Sequence, residues 1–221
     1  PLNSDFCRHT PATHSPGMRK LIPLIALTLL FFSISAQEKK YKVACIGFYN
    51  VENLFDTIDQ PEVRDEEFTP AGPNAWTGER YRAKLEMLAH VIHDIGTELT
   101  SNGAIILGLS EIENRSVIED LVAMPELKAR NYGIVHYDSP DRRGVDVGLV
   151  YQKAHFRVSH THSYRLRIAE EPDFLSRDQL LVSGYLDNEL IHLIVNHWPS
   201  RRGGEQRSRP LRNAAADLNR H

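Results

Sequence analysis

The sequence predicts an α/β sandwich with a mixed sheet, and three observations carry that prediction. Apolar, β-rich runs are interleaved with a run of helical periodicity. Short polar turns join several of the strands as hairpins, which an all-parallel sheet does not contain. No repeat, low-complexity tract or Gly/Ser linker interrupts the chain after residue 40, so the rest reads as one domain.

Residues 1–17 precede the first methionine, Met18, and read as an upstream segment outside the fold. Arg19 and Lys20, the apolar block Leu21 to Phe32, and the small residues Ser33, Ser35 and Ala36 then give residues 18–36 the order of a secretory signal peptide. The block falls short of the roughly 20 apolar residues of a membrane span. The expectation is therefore export to a periplasmic or extracellular destination, without stable membrane insertion after cleavage. The domain is expected over 37–221, where Cys45 alone remains of the two cysteines and no internal disulfide can form. With 26 basic and 29 acidic residues, the chain offers no broad basic nucleic-acid surface. A nuclease that contacts only a few phosphates through a local patch stays compatible with that balance.

Tyr41 to Asn50 reads as a buried strand, followed over Asp56 to Gly78 by a long polar loop with Pro61, Pro70 and Pro73; loops of that length are usually functional. Tyr81, Leu85, Leu88, Val91, Ile92, Ile95 and Leu99 recur at helical spacing behind Thr77 as N-cap, and Gly103 is read as the break. Ala104 to Leu109 is a short apolar run that delivers Glu111 at its end, and a short helix is expected over Val117 to Met124. Strands follow over Tyr132 to Tyr137, Val145 to Tyr151, Phe156 to Tyr164, Gln179 to Leu186 and Leu190 to His197, the last two joined by a turn at Asp187-Asn188. A basic helix is expected over Arg207 to His221.

Strand ends are rigid, and a rigid frame is what metal and phosphate chemistry needs. Three stand out: Asn50-Val51-Glu52-Asn53, in which alternation sends Asn50 and Glu52 to one side; Glu111-Ile112-Glu113-Asn114; and Asn196-His197-Trp198-Pro199-Ser200. Carboxylates with an amide suit a hard cation, Mg²⁺ or Mn²⁺, and a nearby histidine can move a proton to a leaving oxygen. Glu86, His90 and His93 on the first helix, and His160 and His162 on a strand, read better as solvated faces. Asn114-Arg115-Ser116 matches a glycosylation sequon, a weak signal by itself.

The runs FYNVENLFD (48–56), LGLSEIEN (107–114), SPDRRGVDVGLVY (139–151) and NHWPSRRGG (196–204) resemble, in order, the motifs of the endonuclease/exonuclease/phosphatase superfamily. The resemblance implies a four-layered α/β sandwich, two mixed β-sheets flanked by helices, with a metal at one end. It implies Glu111 as the principal metal ligand and Glu52 as a second acid; His197, Asn50 and Asp146 in catalytic positions; and Asn196, Arg201 and Arg202 at the substrate phosphate. Family members continue to an Asp-x-Asn motif and a terminal Asp-His pair that do not follow here. Asp217-Leu218-Asn219 has the first spacing but lies in a helical run, so it is not read as that motif.

The expected activity is hydrolysis of a phosphate ester, possible nucleic acid included, by water under Mg²⁺ or Mn²⁺, in a protein that is monomeric at full length. With the C-terminal motifs missing, this chain is expected to be inactive alone. The alternatives are a non-catalytic fragment that retains phosphate or metal binding, and an adhesion or glycan-binding domain, which the 8% aromatic content does not favour.

Overall fold

The computed structural model describes residues 41–201 and 203–220, so the expected upstream segment and signal peptide lie outside the described residues. Val43–His221 forms one compact unit. No helix among the described residues is long and apolar enough to cross a membrane.

Among the described residues, seven strands make two sheets. The first has the order β1-β2-β4-β3: β1 (Cys45–Leu54) runs parallel to β2 (Ala104–Ile112), while β4 (Asp146–Gln152) is antiparallel to both β2 and β3 (Tyr132–His136). It is the mixed sheet. The second is wholly antiparallel, not mixed: β5 (Phe156–Tyr164), β6 (Gln179–Leu186) and β7 (Glu189–Val195) follow one another. Asp187 and Asn188, at φ 50° and 70°, form the turn between β6 and β7, and positive φ at both turn residues matches the strand twist.

Ile105, Ile106, Val135, Val147 and Leu149 of the first sheet pack against Phe156, Leu180, Val182 and Val195 of the second, forming the core between the sheets. The other face of the first sheet is covered by α1 (Gly78–Asp94), α2 (Arg115–Val122) and α3 (Pro125–Lys128), whose Leu85, Leu88, Ile92, Val117, Ile118, Leu121 and Leu127 meet Leu107, Leu109 and Val150. Helix α4 (Glu205–Leu218) buries Ala215 against Leu166 and Ile168 beside the second sheet. The two sheets with helices outside make the α/β sandwich that the sequence predicts.

Several boundaries shift by a few residues, among them the last helix, which starts at Glu205 and ends at Leu218 rather than running from Arg207 to His221, and two shifts have a clear cause. The first helix ends at Asp94, because Gly96 takes φ +78° and its missing side chain leaves room for Cys45; Gly103 comes after the turn. Strand β1 starts at Cys45 and not at Tyr41, and it is not the buried strand expected, since it lies at the edge of the sheet with Ile46 and Phe48 exposed; it continues past Asn50 to Leu54, and its register against β2 slips between those residues. Glu52 and Asn53 sit there at φ 55° and 60°, so simple alternation does not hold and the inference that Asn50 and Glu52 share a side loses its basis.

The long loop is ordered. Phe55 stacks on Phe68 at 4.0 Å, Trp76 packs edge-on to Phe68, and the Trp76 indole donates to the Phe55 carbonyl at 3.0 Å. Thr77 caps α1 by accepting from Arg80 N, as expected.

Candidate active site

Parallel pairing of β1 with β2 sets Asn50 beside Ser110, one residue before Glu111. Glu111 itself takes φ +64°, a strained conformation for a non-glycine residue, at a register slip in β2. Strain of this kind clusters where a side chain must be re-aimed. The Glu111 side chain meets His197, which follows the last strand, with Oε1 3.4 Å from Nε2. Both are partly accessible, at 18% and 22%. Thus both sheets contribute to one polar end.

That end holds buried polar atoms without hydrogen-bond partners: Ser110 Oγ, Asn196 Oδ1 and His197 Nδ1. Buried polar atoms are nearly always paired, so a group of orphans points to something that binds there. Asn50 Oδ1 accepts from Glu52 N at 2.8 Å. The Glu52 carbonyl accepts from Lys84 Nζ of α1 at 2.6 Å. Burial lowers the lysine pKa, against the pull of the Glu52 and Glu111 carboxylates. Burial first, and the charge of Arg177 second, push the His197 pKa below its ordinary value, which favours the neutral ring at pH 7.

Arg177, absent from the residues picked out in the sequence, ties this end together. Its guanidinium donates to the carbonyls of His197 (3.0 Å) and Trp198 (2.8 Å) and to Asp141 Oδ2 (3.0 Å). Lys84 was also missed. Neither has a sequence signature, because each acts through a fold-level contact between distant segments.

The other expected residues divide. Asn196 Nδ2 lies 3.5 Å from Asn219 Oδ1, so the C-cap of α4 reaches this end although Asp217 is helical and paired with Arg220. Arg201 is exposed, and Arg202 lies outside the described residues. Asp146 is buried and engages other partners: Oδ1 accepts from Ser139 N at 2.9 Å and Oδ2 lies 3.2 Å from His136 Nε2. Glu86, His90 and His93 are exposed on α1, and His160 and His162 on β5, in keeping with solvated faces. Asn114 of the sequon is the N-cap of α2, accepting from Val117 N and donating to Asp56.

The Glu111 carboxylate and the unpaired oxygens on Ser110 and Asn196 are of the kind a hard divalent cation takes, whereas Glu52 meets this end through its backbone and through the charge its carboxylate exerts on Lys84.

A family model described as the Endonuclease/Exonuclease/phosphatase family matches residues 45–221. No curated protein matches significantly. Among solved structures, the chain is similar to an endonuclease/exonuclease/phosphatase from Bacteroides vulgatus, at 16% identity and a TM-score of 0.45, covering 79% of this chain and 57% of that one. It is similar to TDP2 from C. elegans at 19% identity and a TM-score of 0.43, covering 65% and 37%. The human Nocturnin catalytic domain with bound sulfate anion follows at 17% and 0.40, covering 62% and 50%. The chain therefore spans between 37% and 57% of the length of these proteins.

Proposed function

Because the chain belongs to the endonuclease/exonuclease/phosphatase family, we propose that it serves in hydrolysis of a phosphate ester, most simply a phosphodiester, by metal-assisted attack of water. The observation that carries the reading is the meeting of Glu111 and His197, from different sheets, beside three unpaired buried polar atoms. Glu111, helped by Glu52, would hold Mg²⁺ or Mn²⁺, which supplies Lewis-acid stabilisation of the charge growing on phosphate oxygens. The Asn50 oxygen is committed to Glu52 N, so its amide nitrogen is the part that would donate to a phosphate oxygen. His197, held neutral by burial and Arg177, can donate from one ring nitrogen and accept at the other. Arg177 fixes the backbone that carries His197. Arg201, with Arg202 next to it in sequence, supplies the basic character suited to the substrate phosphate.

A second reading is binding of phosphate or metal without turnover. It is supported by the place of the Asp-x-Asn triplet 217–219 at the end of α4, where Asp217 is paired with Arg220. One experiment separates the two. The protein is incubated with bis-p-nitrophenyl phosphate and Mg²⁺, Mn²⁺ or chelator, while Mn²⁺ binding is followed by calorimetry. Metal-dependent release of nitrophenolate supports hydrolysis; Mn²⁺ binding that Glu111→Gln weakens, without release, supports the second reading. Release that persists in chelator, or Mn²⁺ binding indifferent to Glu111, sinks both. Export through residues 18–36 and a monomeric full-length state are proposals too, tested by fractionation of expressing cells and by light scattering.

A further inference from the structure

We propose that His136, Asp138 and Asp146 form a second metal site, for a borderline divalent cation of the Zn²⁺ class. Each offers one ligand atom, and the three atoms lie within 4.8 Å of one another; among the described residues this is the group of three that could hold an ion, and it includes neither Glu111 nor Glu52.

The backbone brings them together by adjacency. His136 ends β3 and pairs with Gly148 of β4, so Asp146, two residues earlier on β4, stands across from the turn that carries Asp138. The His136 side chain is 2% exposed, and its Nε2 makes no aligned hydrogen bond although Asp146 Oδ2 is 3.2 Å away. A ring nitrogen and a carboxylate oxygen bound to one tetrahedral ion at about 2.0–2.1 Å stand roughly 3.3 Å apart. The spacing therefore suits two ligands of a common ion as well as it suits a His–Asp pair, and an ion would take the place of that pairing.

Asp146 is oriented for this. Its Oδ1 accepts from both the backbone and the hydroxyl of Ser139, which leaves Oδ2 directed at His136. Hydrogen bonds of this kind hold ligating carboxylates in place. Asp138 lies 3.8 Å from the other ring nitrogen of His136 and its side chain is 90% exposed, so it gives the site its opening to solvent. To join an ion shared with Asp146, Asp138 must swing from the Nδ1 edge of the ring toward Nε2, a movement its exposed side chain permits. An imidazole with two carboxylates favours Zn²⁺ or Mn²⁺ over Mg²⁺ or Ca²⁺, which prefer all-oxygen sites. An ion here would fasten the start of the 137–145 connection, whose Asp141 holds Arg177.

The test is calorimetric titration of the full chain with Zn²⁺, and with Co²⁺ for its visible absorption, in a Glu111→Gln background that removes the other carboxylate. Asp138→Asn changes an exposed side chain and should leave the circular dichroism unchanged while weakening Zn²⁺ at least about tenfold. His136→Gln should weaken it further, and the His136 ring signals should shift on Zn²⁺ addition in the parent. Unchanged affinity in Asp138→Asn overturns the site, as does loss of all Zn²⁺ binding with Glu111→Gln alone. Unmoved His136 signals at saturating Zn²⁺ would reduce the cluster to an ion pair only.

Discussion

Glu111 and Glu113 stand on the same segment with one residue between them, and their surroundings are opposite. Glu111 faces a partly open end where neighbouring polar atoms lack partners. Glu113 is buried, and both its oxygens are occupied: Oε2 accepts from Asp56 N at 2.6 Å and Oε1 from Gln60 Nε2 at 3.0 Å, fastening the long loop to the end of β2. Burial leads the causes that push its pKa up to about 8. The difference teaches that residue type and strand-end position do not separate a reacting carboxylate from an architectural one. The separation lies in whether the polar groups around it are already satisfied.

The comparison breaks if the two glutamates exchange roles. Glu111→Gln should lower metal-dependent turnover, and the Mn²⁺ affinity beneath it, by about 1000-fold, roughly 4 kcal/mol, while the urea midpoint stays put. Glu113→Ala should cost stability instead, about 3 kcal/mol, because it strips acceptors from a partly buried N–H and a partly buried amide and leaves a cavity at a buried side chain. Its Mn²⁺ affinity, measured where it folds, should be that of the parent.

A pH series sharpens the contrast. Glu113 keeps its proton in the fold up to about pH 8, whereas unfolded it releases it near its ordinary 4.5. Between those values the folded state binds more protons, so stability is greatest on the acid side and falls as pH rises through about 8. Denaturation from pH 5 to 9 should show a decline on the order of 4 kcal/mol, flattened in Glu113→Gln; an equal slope in both proteins would remove Glu113 as the cause. Asn114→Ala, which deletes the cap next to Glu113, should cost about 1 kcal/mol in thermal unfolding and leave metal binding alone. The smallest effect concerns His197. Removing the guanidinium charge in Arg177→Gln should raise the pKa of its ring, seen by NMR titration, and a downward or absent shift would refute the electrostatic role of Arg177.

Much of this was legible in the sequence, for physical reasons. Strands β5 and β6 were placed at their bounds, since apolar runs between polar turns leave little freedom, and Thr77 was recognisable as a cap. The ordered motifs brought Glu111 and His197 to one end, and the structure sets them 3.4 Å apart. What escaped was conformational or long-range. Positive φ at Glu52 and Glu111 defeats an alternation argument, and no spacing rule predicts it for glutamate. The end of α1 was misplaced because Leu99 extends the apolar periodicity beyond Gly96, although a glycine just past a helix is itself a stop signal. Arg177, Lys84 and the clasp from Glu113 to Gln60 depend on segments that meet only in the folded chain.

The turn at Asp187-Asn188 has a kinetic consequence. Strands β6 and β7 are joined by two residues already suited to the turn, so their pairing closes a minimal loop, and hairpins of this kind form in about 1–10 μs. Strand β1 must instead find β2 across the long loop and the whole of α1, with a larger loss of chain entropy. The second sheet should therefore nucleate first, and the β1–β2 register that aligns Asn50 with Ser110 should be a late event. Pulse-labelled amide exchange during refolding should protect β6 and β7 before β1; simultaneous protection would contradict that order.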